Sequence, residues 1–139
     1  MASQETDPTR KNELIRIVAT CKVVPANPAT TFYEAIQSFW FLYLVFAGPI
    51  SPLQRFDQFM FPFYQKDKKE GKITDDEVLE LLQCLRIKNM QILLTSASPH
   101  RDKWSGLAKW NNMVIGGQTP DGRDATNELS YLILEALKR

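Results

Sequence analysis

The sequence predicts a mainly α-helical domain with one or two short strands. Three observations carry that reading. Apolar residues recur at helical spacing in four or five separate stretches. Two of those stretches open on capping boxes, Thr31-x-x-Glu34 and Thr74-x-x-Glu77, in which a hydroxyl takes an orphan amide and the glutamate reaches back. The strand-like run, Met113 to Gly117, is brief and closes on a double glycine. With 139 residues, 44% hydrophobic and 24% charged, the chain amounts to one domain with material for a sizeable core.

Residues 1–6 are polar and are expected to be frayed or disordered. Asp7-Pro8 opens a helix over Thr9 to Lys22, with Leu14, Ile17, Val18 and Cys21 on one face. It ends before Pro25, and Val24 to Ala29 reads as a rigid extended connector. The second helix runs from the Thr31 cap to about Ala47 and is apolar nearly all round after Gln37. That character belongs to a helix in the middle of something, and a chain this short has few layers to cover Phe39 to Phe46 on every side. Such a helix looks cut from the interior of a larger protein. The uncharged run Phe39 to Ala47 is well short of the ~20 residues a membrane span requires.

Gly48, Pro49 and Pro52 stop that helix. Phe56 to Lys69 is expected to be helical in part and interrupted at Pro62, with the Lys66–Glu70 charge run as a solvated face ending at Gly71. From Thr74 to about Ile92, Val78, Leu81, Leu82 and Leu85 line one side of a fourth helix, and Arg86 and Lys88 suit its C-terminal dipole. Residues 95–109 are polar and irregular. Pro120-Asp-Gly122 is a turn, after which Asp124 or Thr126 caps a last helix carrying Leu129, Leu132, Ile133, Ala136 and Leu137 on one face.

Composition disfavours several functions. A net charge of +1 supplies no electrostatic footprint for nucleic acid or an anionic membrane. No signal peptide is visible, and Cys21 and Cys84 read as small buried hydrophobes in a reducing compartment, so a cytoplasmic setting is expected. There is no Cys/His metal set and no serine with a histidine partner; His100, alone in a polar loop, reads as solvated. Gly116-Gly117-x(4)-Gly122 matches neither phosphate-loop spacing, and turn geometry explains its glycines. Trp104 and Trp110 read first as core or interface aromatics. Arg55 and Asp57, set among Phe56, Phe59, Phe61, Phe63 and Tyr64, read as a structural ion pair or as backbone caps.

Four stretches point further. Thr31-Phe-Tyr-Glu-Ala-Ile-Gln37 and Arg55-Phe-Asp-Gln-Phe-Met-Phe-Pro-Phe-Tyr64 come first, the latter with Gln54 where a small residue is common. A helix bearing Lys88 and the run Ile115-Gly-Gly-Gln-Thr-Pro-Asp-Gly-Arg-Asp-Ala-Thr-Asn-Glu-Leu-Ser-Tyr131 follow. In this order and at these spacings they resemble motifs of the glycyl radical enzymes, the group that includes pyruvate formate-lyase, the glycyl-radical diol dehydratases and the alkyl- and arylalkylsuccinate synthases. The resemblance covers the chain from about Asp7 to its end.

The resemblance implies that residues 1–139 are a partial pyruvate formate-lyase-like domain, a fragment of a ten-stranded α/β barrel. In that family a glycyl radical, installed by a radical-SAM activase, passes to a cysteine on a loop inside the barrel. Neither loop is in this chain, and Cys21 and Cys84 match neither. No catalytic residue and no cofactor are therefore assigned here, and the chain alone is expected to be silent in a lyase or acyltransferase reaction. Pro49, Ile50, Trp104 and Trp110 resemble positions of the substrate-pocket wall, although packing explains the tryptophans equally well. Arg55, Asp57, Gly116, Gly117, Asp121 and Asn127 resemble structural motif positions. Pro49-Ile50 stands where diol-dehydrating members carry polar residues, which favours a small apolar or acyl substrate over a polyol. The expected partner is the missing part of the enzyme, or a second copy through exposed apolar surface. A non-enzymatic helical interaction module, one half of a split glycyl radical enzyme and a truncated gene remain open beside it.

Overall fold

In the computed structural model of the chain the described residues are 2–46, 55–91 and 113–138. They form five α-helices: α1 (Pro8–Val23), α2 (Phe32–Phe46), α3 (Phe56–Lys69), α4 (Asp75–Gln91) and α5 (Glu128–Ala136). The Pro49-Ile50 corner, His100, Trp104, Trp110 and the irregular stretch 95–109 lie outside the described residues. The short buried strand expected at Met113 to Gly117 does not form: the stretch is extended without pairing in a ladder, and Val114 and Gly117 are exposed. Among the described residues sheet pairing is limited to an isolated antiparallel bridge, Gln118 with Asp124. The Pro120–Gly122 turn lies inside that bridge, and the double glycine just before the bridge takes positive φ, 68° at Gly116 and 94° at Gly117, which a residue with a Cβ adopts reluctantly.

The helix starts follow the sequence closely. Asp7 accepts the Thr9 amide at 2.9 Å with Pro8 in the first turn of α1. Glu34 accepts from the Thr30 and Thr31 amides at 2.7 and 3.3 Å, while Thr31 Oγ1 accepts the Glu34 amide at 3.2 Å. The Thr74–Glu77 box closes in the same way, at 2.8 and 3.3 Å. Hydrogen bonding to the carboxylate, first from the Thr30 and Thr74 backbone amides, holds the pKa of both glutamates below the ordinary value.

Further expectations need correction. Ala2–Gln4 form one 3-10 turn within the stretch expected to be frayed. Val24 to Ala29 is not extended: Asn27 folds back so that its amide and its Nδ2 both donate to the Val23 carbonyl, at 2.8 and 3.1 Å. Pro62 does not interrupt α3, which runs unbroken through it; a proline removes one amide donor, and the helix absorbs that loss with its aromatic face packed. The last helix is capped by Asn127 rather than by Asp124 or Thr126, in a reciprocal box with Ser130 at 3.2 and 3.1 Å; Asp124 instead accepts from Thr126 within the preceding turn. Cys21 and Cys84 are free but exposed, not buried, because each sits on the solvent side of its helix.

The core gathers Phe32, Ile36 and Tyr43 from α2, Phe56, Met60 and Tyr64 from α3, Val78, Leu82 and Leu85 from α4, and Leu129 and Ile133 from α5. Helix α3 lies at the centre, with α2 and α5 packed against it and α4 running against both α5 and α2. Aromatic edges knit α2 to α3: Phe39 meets Phe56 at 5.1 Å and Phe32 meets Tyr64 at 6.2 Å, both edge-to-face. Helix α1 stays at the rim. Its predicted apolar face is only half covered, and it joins α2 through the Arg16 guanidinium, 4.0 Å from the centre of the Tyr33 ring.

The Lys66–Glu70 charge run is solvated except at one position. Asp67 is 3% exposed, and its Oδ2 accepts the Phe32 amide at 2.7 Å, supplying a partner from α3 to an orphan donor in the first turn of α2. Asp67→Ala leaves that donor buried and unmatched. It is expected to cost about 1–3 kcal/mol, read as a lower urea midpoint and faster hydrogen exchange at Phe32.

The capping glutamates give the fold an acid limit. Their folded pKa values lie below the unfolded ones, so their contribution is complete above the ordinary value of 4.5 and is lost as pH falls through the lower, folded values. The Tm should therefore be level from neutrality to about pH 5 and drop below it. A Glu34→Gln/Glu77→Gln variant, which keeps the capping geometry without the titrating charge, should show a shallower drop in a thermal-melt series.

Candidate functional site

The sequence-predicted motif residues converge on the first turn of α3. Asp57, which has no exposed surface, is the focus. Its Oδ2 accepts the Gly116 amide at 2.7 Å, the Ser130 hydroxyl, and Gln58 Nε2 at 3.1 Å; its Oδ1 accepts the Gln58 amide at 2.9 Å. Gln58 Nε2 also donates to the Ala125 carbonyl at 2.7 Å. The double-glycine turn, the segment behind it and the start of α5 are thus all tied to two consecutive residues of α3. Among the alternatives for Arg55 and Asp57, the caps are observed and the ion pair is not.

Arg55 enters α3 in the left-handed region, φ 52°, a conformation costing a non-glycine residue about 1–2 kcal/mol. Two contacts hold it there. Its Nη2 donates to the Gln118 carbonyl at 3.0 Å, and its guanidinium lies over Gly117, where an added Cβ would come within 3.8 Å of it. The neighbouring Phe56 amide donates to the Val114 carbonyl at 3.2 Å. At Gly116 an added Cβ would approach Thr126 Oγ1 to 3.1 Å, so small size and positive φ are both used. Asn127 belongs to the same assembly through Ser130. Asp121 does not: it is exposed, bonded to Thr119 and paired with Arg123 inside its own turn, and those two partners hold its carboxyl below the usual range.

A second polar cluster joins the other end of α3 to α4 and α5. The Tyr64 hydroxyl donates to Asp75 at 3.0 Å and lies 3.2 Å from Glu128, and Lys68 Nζ donates to that hydroxyl at 2.7 Å and to Asp75 at 3.0 Å. Burial pushes the Tyr64 pKa up to about 12, and the Lys68 contact holds Asp75 below the usual carboxylate range. A phenol with that pKa stays protonated at neutral pH, and here it donates to Asp75 while accepting from Lys68. An open groove of about 700 Å³ runs beside the cluster toward Tyr131, Leu134 and Leu137. Among the described residues no group of three or more His, Cys, Asp or Glu is placed to hold a metal ion, and no helix is long and apolar enough to cross a membrane.

The pyruvate formate lyase-like family model matches residues 1–139. The chain belongs to that family, the glycyl radical enzymes. Isethionate sulfite-lyase of Nitratidesulfovibrio vulgaris is 47% identical over 98% of this chain and 17% of its own length. The structure solved for 1,2-propanediol dehydration in Roseburia inulinivorans superposes with a TM-score of 0.92 at 41% identity, and the B12-independent glycerol dehydratase of Clostridium butyricum with 0.88 at 38%; each match covers 99% of this chain and 18% of the other. The chain therefore spans less than a fifth of the relatives it matches. It is a piece of a glycyl radical enzyme fold, and its helices are those of the enzymes' barrel region.

The motif reading of Arg55, Asp57, Gly116, Gly117 and Asn127 thus meets in one assembly, whereas Asp121 stands apart. Gln58 and Ser130 were contained in the quoted motifs without a role of their own. Asp67 was missed. It follows Met60 by seven residues and Tyr64 by three, which places it on the buried face of α3, and that was the available signal.

Removing the focus should be costly. Asp57→Ala strands the Gly116 amide and the Ser130 hydroxyl in a fully buried site and is expected to cost about 2–5 kcal/mol. Ser130→Ala removes one donor and should cost about 1 kcal/mol. Chemical denaturation of both variants checks the order.

Proposed function

We propose that residues 1–139 are one partial domain, a wall segment of a glycyl radical lyase that cleaves a carbon–heteroatom bond in a small substrate. The radical cysteine and the glycine loop belong to the remaining polypeptide, with the radical installed by a radical-SAM activase. On this reading Pro49, Ile50, Trp104 and Trp110 face the substrate, and the Asp57 clamp keeps the chain flanking them in register. The supporting observation is that Arg55 and Met113, which immediately follow the two segments bearing those residues, belong to strands of chain held together by the Phe56–Val114 hydrogen bond. Isethionate, 1,2-propanediol and glycerol, which appear in the names of the relatives, are all small and hydroxylated. They favour a polar substrate over the apolar or acyl one that Pro49-Ile50 suggested, with the Pro-Ile pair shaping the pocket instead of marking an apolar ligand.

The test replaces the matched 17% of the Nitratidesulfovibrio vulgaris enzyme with this chain. The activated chimera should release sulfite from isethionate, while the isolated chain releases none. Trp104→Ala and Trp110→Ala in the chimera should each lower kcat/KM at least about tenfold with the melting temperature nearly unchanged. Equal losses of stability and rate would make them packing residues, and turnover by the isolated chain would refute the assignment.

A further inference from the structure

Asp121 stands outside the Asp57 assembly, and its neighbour gives it a chemistry of its own. The sequence places glycine directly after an aspartate or asparagine only once, at Asp121-Gly122. A glycine there has no Cβ to shield its amide nitrogen and offers little resistance to backbone rotation. Its nitrogen can attack the side-chain carboxyl of the residue before it. A bond then forms between the Gly122 nitrogen and Asp121 Cγ, and the carboxyl hydroxyl leaves as water with the amide hydrogen. Water reopens the resulting succinimide at either of its C–N bonds. Breaking the side-chain bond restores aspartate; breaking the backbone bond leaves the chain running through Cγ as isoaspartate. The sequence of steps consumes no oxidant and no cofactor.

In the folded turn each participant is held back from this reaction. The Gly122 amide donates to the Thr119 carbonyl at 2.9 Å, so the nitrogen must leave that bond before it can turn onto Cγ. Both carboxylate oxygens are engaged, Oδ1 by the Thr119 hydroxyl and Oδ2 by Arg123 Nε. These partners keep the carboxyl ionised, and an ionised carboxyl has no hydroxyl to lose as water. Thr119 and Arg123 are also fixed to one another. The Thr119 hydroxyl accepts the Arg123 amide at 3.1 Å, and the Thr119 amide donates to the Arg123 carbonyl at 2.9 Å.

We propose that Asp121–Gly122 is a site of succinimide-mediated isomerisation and that Thr119 and Arg123 restrain it in the folded chain. The Arg123 side chain is 81% exposed, so its ion pair is screened by solvent and the Thr119 hydroxyl is the stronger restraint. The position has a structural consequence. Isoaspartate adds a methylene to the backbone inside the Gln118–Asp124 bridge. Just below that bridge the Ala125 amide donates to the Gly117 carbonyl at 3.0 Å, beside the glycine that meets Asp57.

The test incubates the chain in heavy-oxygen water at neutral pH and reads the peptide containing Asp121 by mass spectrometry. Each passage through the succinimide leaves heavy oxygen in the Asp121 carboxyl group, and fragmentation separates isoaspartate from aspartate. The folded chain should incorporate label more slowly than the same chain in guanidinium chloride. Thr119→Val should raise the folded rate at least about fivefold, the rate equivalent of one net hydrogen bond. Arg123→Gln should raise it about twofold, as suits an exposed ion pair. Thr119→Ser, which keeps the hydroxyl, should match the parent chain, and in denaturant all of these chains should react alike. Circular dichroism checks that each variant keeps its helices. The folded-against-denatured comparison of the parent chain decides the matter even where a variant does not fold. Equal rates in those two states, or a folded Thr119→Val variant no faster than the parent, overturn the restraint. Absence of label at Asp121 in denaturant overturns the site itself.

Discussion

Four hydrogen bonds end on the Asp57 carboxylate, and the arrangement of the chain around α3 depends on them. A buried carboxylate is expensive unless its lone pairs are met, and here a backbone amide, a hydroxyl and both nitrogens of Gln58 meet them. Because Gly116 and Ser130 lie far along the chain from Asp57, the same bonds close long loops and set where α5 begins. The left-handed entry at Arg55 and the positive φ at Gly116 and Gly117 follow from this closure: the turn has to bring an amide, not a side chain, against the carboxylate. Local strain is tolerated where a denser set of bonds offsets it.

Two further polar ties divide the work along α3. Asp67, near its C-terminal end, reaches the first turn of α2, and the Tyr64–Lys68–Asp75–Glu128 cluster reaches the first turns of α4 and α5. Three helix N-termini are therefore met by groups from one central helix. Their positive ends suit the carboxylates gathered there. The apolar core supplies the driving force, and these ties choose one register of packing from the many that a set of amphipathic helices would permit. Each polar group of the cluster is committed to a partner within it.

The helices and most of their caps were legible because helical periodicity and capping boxes are local. Thr31 with Glu34, and Thr74 with Glu77, sit three residues apart and read identically on paper and in space. The last cap was placed one or three residues early, since Asp124, Thr126 and Asn127 all suit the position and only the partner at Ser130 separates them. The cysteines were misjudged because a helical stripe says which residues share a face but not whether that face is covered. Leu14, Ile17, Val18 and Cys21 do share a face of α1, yet α1 sits at the rim and leaves it largely open.

From residues alone came the order of the described helices, most of their caps, the turn at Pro120–Gly122 and the family motifs, all matters of neighbours within a few positions. Tertiary structure alone decided which member of the Lys66–Glu70 run turns inward, that Arg55 bonds a carbonyl and not Asp57, and that Asp57 gathers donors from 59 and 73 residues away. The physical reason is that a buried charge is permitted only where donors from elsewhere in the chain arrive to solvate it. Their arrival is a property of the packed helices, which no single stretch of sequence contains.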